Sequence, residues 1–153
     1  MRALELKFPP PIVALVLAFL MWLMSPVTGL LQVAYLTRVI WAVVLVCVGQ
    51  GVGIAGILAF RRAKTTVNPV KASSASSLVI RGVYRYTRNP MYAGLLLTLL
   101  AWEVYLANPL AVPWVAVYVL YIIRFQIIPE ERVLGSLFGA EYTAYKQSVR
   151  RWV

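Results

Sequence analysis

The sequence predicts an all-α, polytopic membrane protein with four transmembrane helices and a C-terminal amphipathic helix on the cytoplasmic side. Three observations support that fold class. The 153 residues are 61% hydrophobic and 13% charged, against roughly 25% charged in ordinary soluble domains, and the mean hydropathy is +0.78. Apolar runs at about 12–34, 38–60, 90–107 and 109–128 have lengths suited to a bilayer core. Basic residues gather between the second and third runs and in the tail, which places both termini in the cytoplasm. Too little polar sequence remains for a soluble lobe, so residues 1–153 read as one integral-membrane domain.

The first run follows an amphipathic start with Arg2, Glu5 and Lys7, broken by Pro9-Pro10-Pro11. It is expected to kink or end near Pro26. A cleaved signal peptide is the competing reading, but the apolar stretch is too long and no clean small-residue cleavage site follows. The second run closes on Arg61-Arg62 and holds Gly49, Gly51, Gly53 and Gly56. Its G-x-G-x-x-G string lacks the strand before it that a dinucleotide site requires. Gly49 and Gly53, with Gly56 on nearly the same face, instead suit close helix packing, and Cys47 reads as a small packing residue. Residues 61–81, with Asn68-Pro69 and the serines of 73–77, read as a solvated loop.

Asn89-Pro90 marks the start of the third span, with Asn89 as N-cap and Pro90 at the first helical position. Asn108-Pro109 is the turn to the fourth span, so the last two spans form a helical hairpin. The first carries Glu103 near its outer end, and the second carries Arg124 near its inner end. Beyond residue 128 the chain is charged, and Glu131, Leu134, Phe138, Tyr142 and Tyr145 recur at steps of three or four. That spacing gives one amphipathic face, which Gly135 and Gly139 divide into two short helices. Arg150, Arg151 and Trp152 suit an anchor at the membrane interface.

Composition also restricts the chemistry. The net charge is +10, which suits anionic lipid head groups. Nucleic acid is a poorer partner, because the basic residues lie in short loops beside apolar spans. Histidine is absent and Cys47 is the lone cysteine. That excludes a disulfide within the chain, a His/Cys metal site and a Ser-His-Asp triad. Any general base must be a Glu, Tyr, Lys or water.

Two polar groups converge on the inner end of the hairpin. One is Tyr84 to Gly94, where Arg85 and Arg88 stand beside a helix N-terminus able to hold an anion. The other is Arg124 with Glu130-Glu131-Arg132. Paired carboxylates at a membrane edge need partners, and Arg85, Arg88 and Arg124 are available. Residue chemistry alone leaves two readings, an anchoring salt-bridge network or a ligand site.

The residues here resemble the integral-membrane methyltransferases that include isoprenylcysteine carboxyl methyltransferase and the phospholipid N-methyltransferases. That family carries Gly-x-Tyr-x-x-x-Arg-His-Pro-x-Tyr-x-Gly before a membrane hairpin, then Glu-Glu, Leu, Phe-Gly and paired tyrosines. The chain has Gly82, Tyr84, Arg88, Asn89, Pro90, Tyr92 and Gly94, then Glu130-Glu131, Leu134, Phe138-Gly139, Tyr142 and Tyr145. The likeness covers about residues 80–152. Asn89 replaces the histidine usual in the carboxyl methyltransferases.

The resemblance implies S-adenosylmethionine as cofactor and a lipophilic small molecule or lipid as acceptor, with no metal. Arg88 and the N–H groups capped by Asn89, at the helix start that Pro90 opens, would take the cofactor carboxylate, and Glu130 or Glu131 the ribose or ammonium. Tyr84, Tyr92 and Phe138 would flank the adenine or sulfonium, and Gly94 would admit the cofactor to the backbone. Arg124 and Glu130 are the candidate catalytic residues, Arg124 as a clamp for the acceptor. Tyr142 and Tyr145 are expected to pack the tail against the bilayer edge. A non-enzymatic scaffold or lipid-binding protein is the alternative from another class.

Overall fold

The structure, a computed structural model, describes residues 5–25, 33–63 and 77–152. All regular elements among them are helical. Helix α1 spans Pro10–Leu23, α2 Tyr35–Arg62, α3 Pro90–Leu106, α4 Val112–Ile122 and α5 Ile128–Ser148. A π turn, Ile123–Ile127, joins α4 to α5 without a break. Short 3-10 turns precede α3, at Gly82–Arg85, and α4, at Pro109–Ala111.

Two helical stretches are long and apolar enough to cross a membrane: α2, and the continuous run Pro109–Ser148 that contains α4 and α5. Helices α1 and α3 are apolar but shorter, at 14 and 17 residues. At 1.5 Å per residue they are about 21 and 25 Å long. Helix α1 ends at Leu23, close to Pro26, where the first run is expected to kink or end. Pro26 and residues 64–76, with the serine-rich loop, lie outside the described residues.

Glycines set the closest contact in the bundle. A Cβ added to Gly94 would stand 2.5 Å from the Gly49 carbonyl oxygen and 3.1 Å from the Gly53 nitrogen. One added to Gly56 would meet Pro90 Cγ at 3.1 Å. Bare backbone on both sides lets α2 and α3 lie antiparallel at contact distance, as the small-residue stripe predicts. Thr98 bridges the seam, accepting from Gln50 Nε2 at 3.1 Å and donating to the Gly94 carbonyl at 2.9 Å.

Helix α1 runs parallel to α3 and is tied to it by the Trp102 indole, which donates to the Ala18 carbonyl at 2.9 Å. At the far end of the bundle, the buried Asn108 both accepts from Leu110 N–H and donates to the Met24 carbonyl. The turn residue thereby closes the hairpin and holds the end of α1. Leu17, Met21, Tyr92, Leu99, Tyr118, Ile122 and Ile127 form the main core.

Beyond the π turn the chain leaves the bundle and doubles back. Gly139 adopts φ 48°, ψ −116° and divides α5 into two arms, a backbone that glycine alone adopts cheaply. The second arm returns over the first, and a Cβ on Gly135 would sit 3.9 Å from the Tyr142 ring. Tyr142, Tyr145 and Val149 make a second small core with Leu78, Leu134 and Phe138. These tyrosines pack against the protein's own loop rather than a bilayer edge.

Candidate active site

The doubled-back tail delivers residues 150–152 to the loop that starts α3. Arg88 N–H donates to the Arg150 carbonyl at 3.1 Å. The Asn89 amide donates to the Arg151 carbonyl at 2.8 Å, and the Thr87 hydroxyl donates to that same oxygen at 3.3 Å. Asn89 is the N-cap residue of α3 and Pro90 is its first residue, as the sequence predicts, yet the Asn89 side chain makes no cap bond. The Arg151 carbonyl has captured the amide that was expected to cap the helix. Thr87 also accepts from the Asn89 N–H at 3.2 Å, so the loop and tail form one hydrogen-bonded bracket.

Glu131 is the charge at its centre. It takes a bidentate contact from Arg151, 3.1 Å from Nε and 2.8 Å from Nη2. Arg88 Nη1 lies 3.1 Å from the same carboxylate. The Arg88 and Glu131 side chains are only 11% and 17% exposed, so both depend on one another for charge balance. Arg151 was read from the sequence as an interface anchor. Its place at Glu131 depends on the fold reversing at Gly139, which a 3.6-residue periodicity does not reveal.

Glu130 points the other way. It accepts a short hydrogen bond from the Tyr92 hydroxyl, and Tyr118 donates to the Tyr92 carbonyl at 3.3 Å. Burial pushes the Glu130 carboxyl up to about 7. The Tyr92 bond opposes that rise and the Glu131 charge adds to it. The neighbouring carboxylates thus differ in setting: Glu131 is ion-paired with two guanidiniums, whereas burial raises Glu130.

Tyr84 is buried. Its ring stands edge-on to Phe60 at 5.4 Å and its carbonyl accepts from the Tyr145 hydroxyl at 2.8 Å. Burial drives the Tyr84 and Tyr145 hydroxyls well above the ordinary phenol range. Burial likewise raises Tyr142 to about 12, with the Glu131 charge adding and the Arg88 charge opposing.

Three of the expected site residues make contacts within the protein itself. Gly94 turns its bare Cα to α2, whose backbone fills the space a Cβ would take. Phe138 packs in the small tail core. Arg124 meets neither Glu130 nor Glu131: its Nη1 binds Glu5 at 3.1 Å, and Arg132 binds the other oxygen of Glu5 at 3.2 Å. The two arginines hold the Glu5 carboxyl below its usual range, Arg124 most strongly, against an opposing effect of burial. The π turn inserts an extra residue per turn here, and Leu6 N–H reaches the Phe125 carbonyl at 2.9 Å. The start of the chain therefore occupies the guanidinium that was assigned to an acceptor.

Some buried donors in this region lack a hydrogen bond among the described residues: Arg88 Nε and the Trp152 indole N–H, and also Arg88 Nη1, which is nonetheless ion-paired with Glu131. Buried donors of this kind call for an acceptor, and a ligand carboxylate fits them. Alongside, an apolar groove of about 550 Å³ runs between α1, α2 and α3, lined by Ala18, Val46, Leu95, Leu99 and Trp102 among others. Its inner end, at Pro11 and Leu95, lies one turn from the first turn of α3.

A family model described as phospholipid methyltransferase matches residues 37–141. An uncharacterized protein of Haemophilus influenzae is 54% identical over 63 residues, 41% of this chain and all of that one. Protein-S-isoprenylcysteine O-methyltransferase A of Arabidopsis thaliana is 30% identical over 137 residues, covering 87% of this chain and 70% of its own length. A probable protein-S-isoprenylcysteine O-methyltransferase of Oryza sativa subsp. indica is 32% identical over 69% of this chain and 56% of its own. No solved structure matches.

Proposed function

The chain belongs to the phospholipid methyltransferase family, and on that premise we propose that it transfers a methyl group from S-adenosylmethionine to a lipophilic acceptor. The reaction takes place at the cytoplasmic face of a membrane that the chain crosses four times, and the activity is like that of isoprenylcysteine carboxyl methyltransferase. The observation that carries this reading is the cluster of Arg88, Glu131 and Arg151 at the start of α3, with the buried Arg88 Nε and Trp152 indole N–H left without acceptors among the described residues.

When bound, S-adenosylmethionine supplies an activated methyl group for in-line displacement. The residues of the chain bind and orient. Arg88 and Trp152 offer N–H donors to a carboxylate. Glu131, held by two guanidiniums, fixes the Arg88 fork in place, and Asn89 and Pro90 set the path of the loop beside it. Tyr92 and Tyr84 wall the apolar side. The groove between α1, α2 and α3 is open to lipid and receives the tail of the acceptor, so it excludes water from the reacting end.

Glu130 favours a second reading of the acceptor. A carboxylate acceptor arrives deprotonated, whereas an amine must lose a proton, and Glu130 titrates near 7 beside Tyr92. A phospholipid amine is therefore the alternative within the same family. An acceptor carboxylate at Arg124 must first displace Glu5.

The test is a titration of the purified protein with S-adenosylhomocysteine. The wild type binds, and Arg88→Ala lowers affinity by about 1.5–3 kcal/mol, the range for a charge-assisted hydrogen bond. Absence of wild-type binding overturns the proposal.

A further inference from the structure

Gln126 is fully buried, with 0% of its surface exposed, and lies inside the π turn. Its Nε2 donates to the Phe8 carbonyl at 2.8 Å. That bond decides which way the amide points. A carbonyl only accepts, so the atom facing Phe8 must be the NH2 and the other atom must be oxygen. The oxygen, Oε1, is buried and receives no hydrogen bond among the described residues. Glu130 follows four residues later, and residues at that spacing stand near one another along a helix. A buried amide oxygen without a donor costs stability unless something supplies one. π turns recur where a helix has been re-aimed for function.

We propose that Gln126 is a substrate-orienting residue whose side-chain oxygen accepts a hydrogen bond from an amine or ammonium nitrogen of a bound substrate. The inference rests on the methyltransferase reading above and assigns a residue that the sequence motifs do not contain. Such a nitrogen has two sources, the α-ammonium of the methyl donor and an amine head group on the acceptor. The N-terminal segment takes part indirectly, since Phe8 locks the amide in its accepting orientation. The adjoining bonds of Glu5 to Arg124 and of Leu6 to Phe125 hold that segment in place.

The experiment compares binding of S-adenosylhomocysteine with that of its analogue lacking the α-amino group, in wild type, Gln126→Met and Gln126→Glu. A second arm measures the thermal shift given by dodecylamine and by dodecanoic acid in the protein saturated with S-adenosylhomocysteine. If the donor's ammonium is the partner, Gln126→Met loses about tenfold or more in affinity for S-adenosylhomocysteine. It then binds the deaminated analogue as the wild type does. Gln126→Glu loses its neutral amide yet keeps an acceptor, so it retains the preference for the aminated ligand. If the acceptor's amine is the partner, both nucleosides bind unchanged and Gln126→Met abolishes the shift by dodecylamine alone. A merely structural role weakens aminated and deaminated ligands equally, and that result overturns the inference. So does an unchanged response to all four ligands. Wild-type protein that fails to bind S-adenosylhomocysteine overturns the underlying reading as well, whereas wild-type binding with no discrimination at Gln126 overturns this inference alone.

Discussion

Removing either partner from the Glu131 cluster should have unequal consequences, and the inequality follows from the geometry. Arg151→Ala deletes a bidentate contact whose arginine side chain is 33% exposed, but Glu131 keeps Arg88 at 3.1 Å. The backbone carbonyl of residue 151 also survives, so the bonds from Thr87 and Asn89 persist. Exposed ion pairs contribute about 0–1 kcal/mol, and breaking a buried one costs about 3–5 kcal/mol. This pair lies between those limits, so the expected cost is about 1–2 kcal/mol. Glu131→Ala instead strands two guanidiniums, one of them almost fully enclosed, and its expected cost is about 3–5 kcal/mol. Because both substitutions remove the same contact, Glu131→Ala with Arg151→Ala should cost no more than Glu131→Ala alone. Reversible unfolding in bicelles, followed by tryptophan fluorescence, measures all three. Equal costs for the two single variants, or a double variant equal to their sum, would refute the idea that Glu131 is the shared hub.

Other consequences are equally direct. Gly94→Ala should destabilise by about 1–3 kcal/mol through overpacking against backbone, while Gly51→Ala, which meets nothing within 4 Å, should be silent in the same unfolding assay. The Glu130 carboxyl is raised from 4.5 to about 7 in the folded protein. Its proton is therefore held more tightly folded than unfolded, and its contribution to stability falls as pH rises from about 4.5 to 7. Unfolding measured across that window should show the decline in wild type and lose it in Glu130→Gln. For topology, Arg81→Cys and Leu110→Cys in a Cys47→Ser background should be labelled by an impermeant maleimide from opposite sides of the membrane. Labelling of both from one side would contradict the four-span arrangement.

The helix starts and the helix seam were legible in the sequence because they depend on local chemistry. Pro90 fixes its own φ, and the Gly49, Gly53 and Gly56 spacing already describes one face of α2. What the sequence concealed depends on chain reversal. Arg151 lies 20 residues from Glu131, and only the break at Gly139 brings them together. The Phe138-Gly139 step was the available signal, since a glycine inside an amphipathic run invites a turn. Asn89 kept its position as N-cap without a side-chain cap bond, and its amide nitrogen donates to the Arg151 carbonyl, a partner that no local rule could supply. Gly94 is similar: close approach was legible, but the backbone that approaches is that of α2. Arg124 lies in the π turn and pairs with Glu5, a contact that an uninterrupted apolar run does not announce.

The bracket between the motif loop and the tail also has a consequence in time. Asn89 and the carbonyl that holds it are 62 residues apart, and synthesis delivers them in that order. Both helices of the hairpin are synthesised before residues 150–151, which receive the loop. Closing so long a loop is an entropic cost met late. The membrane helices can therefore be inserted and packed while Arg88 still lacks its final setting. On the proposed function, a lesion in residues 150–152 should impair binding at Arg88 while leaving insertion of the helices intact.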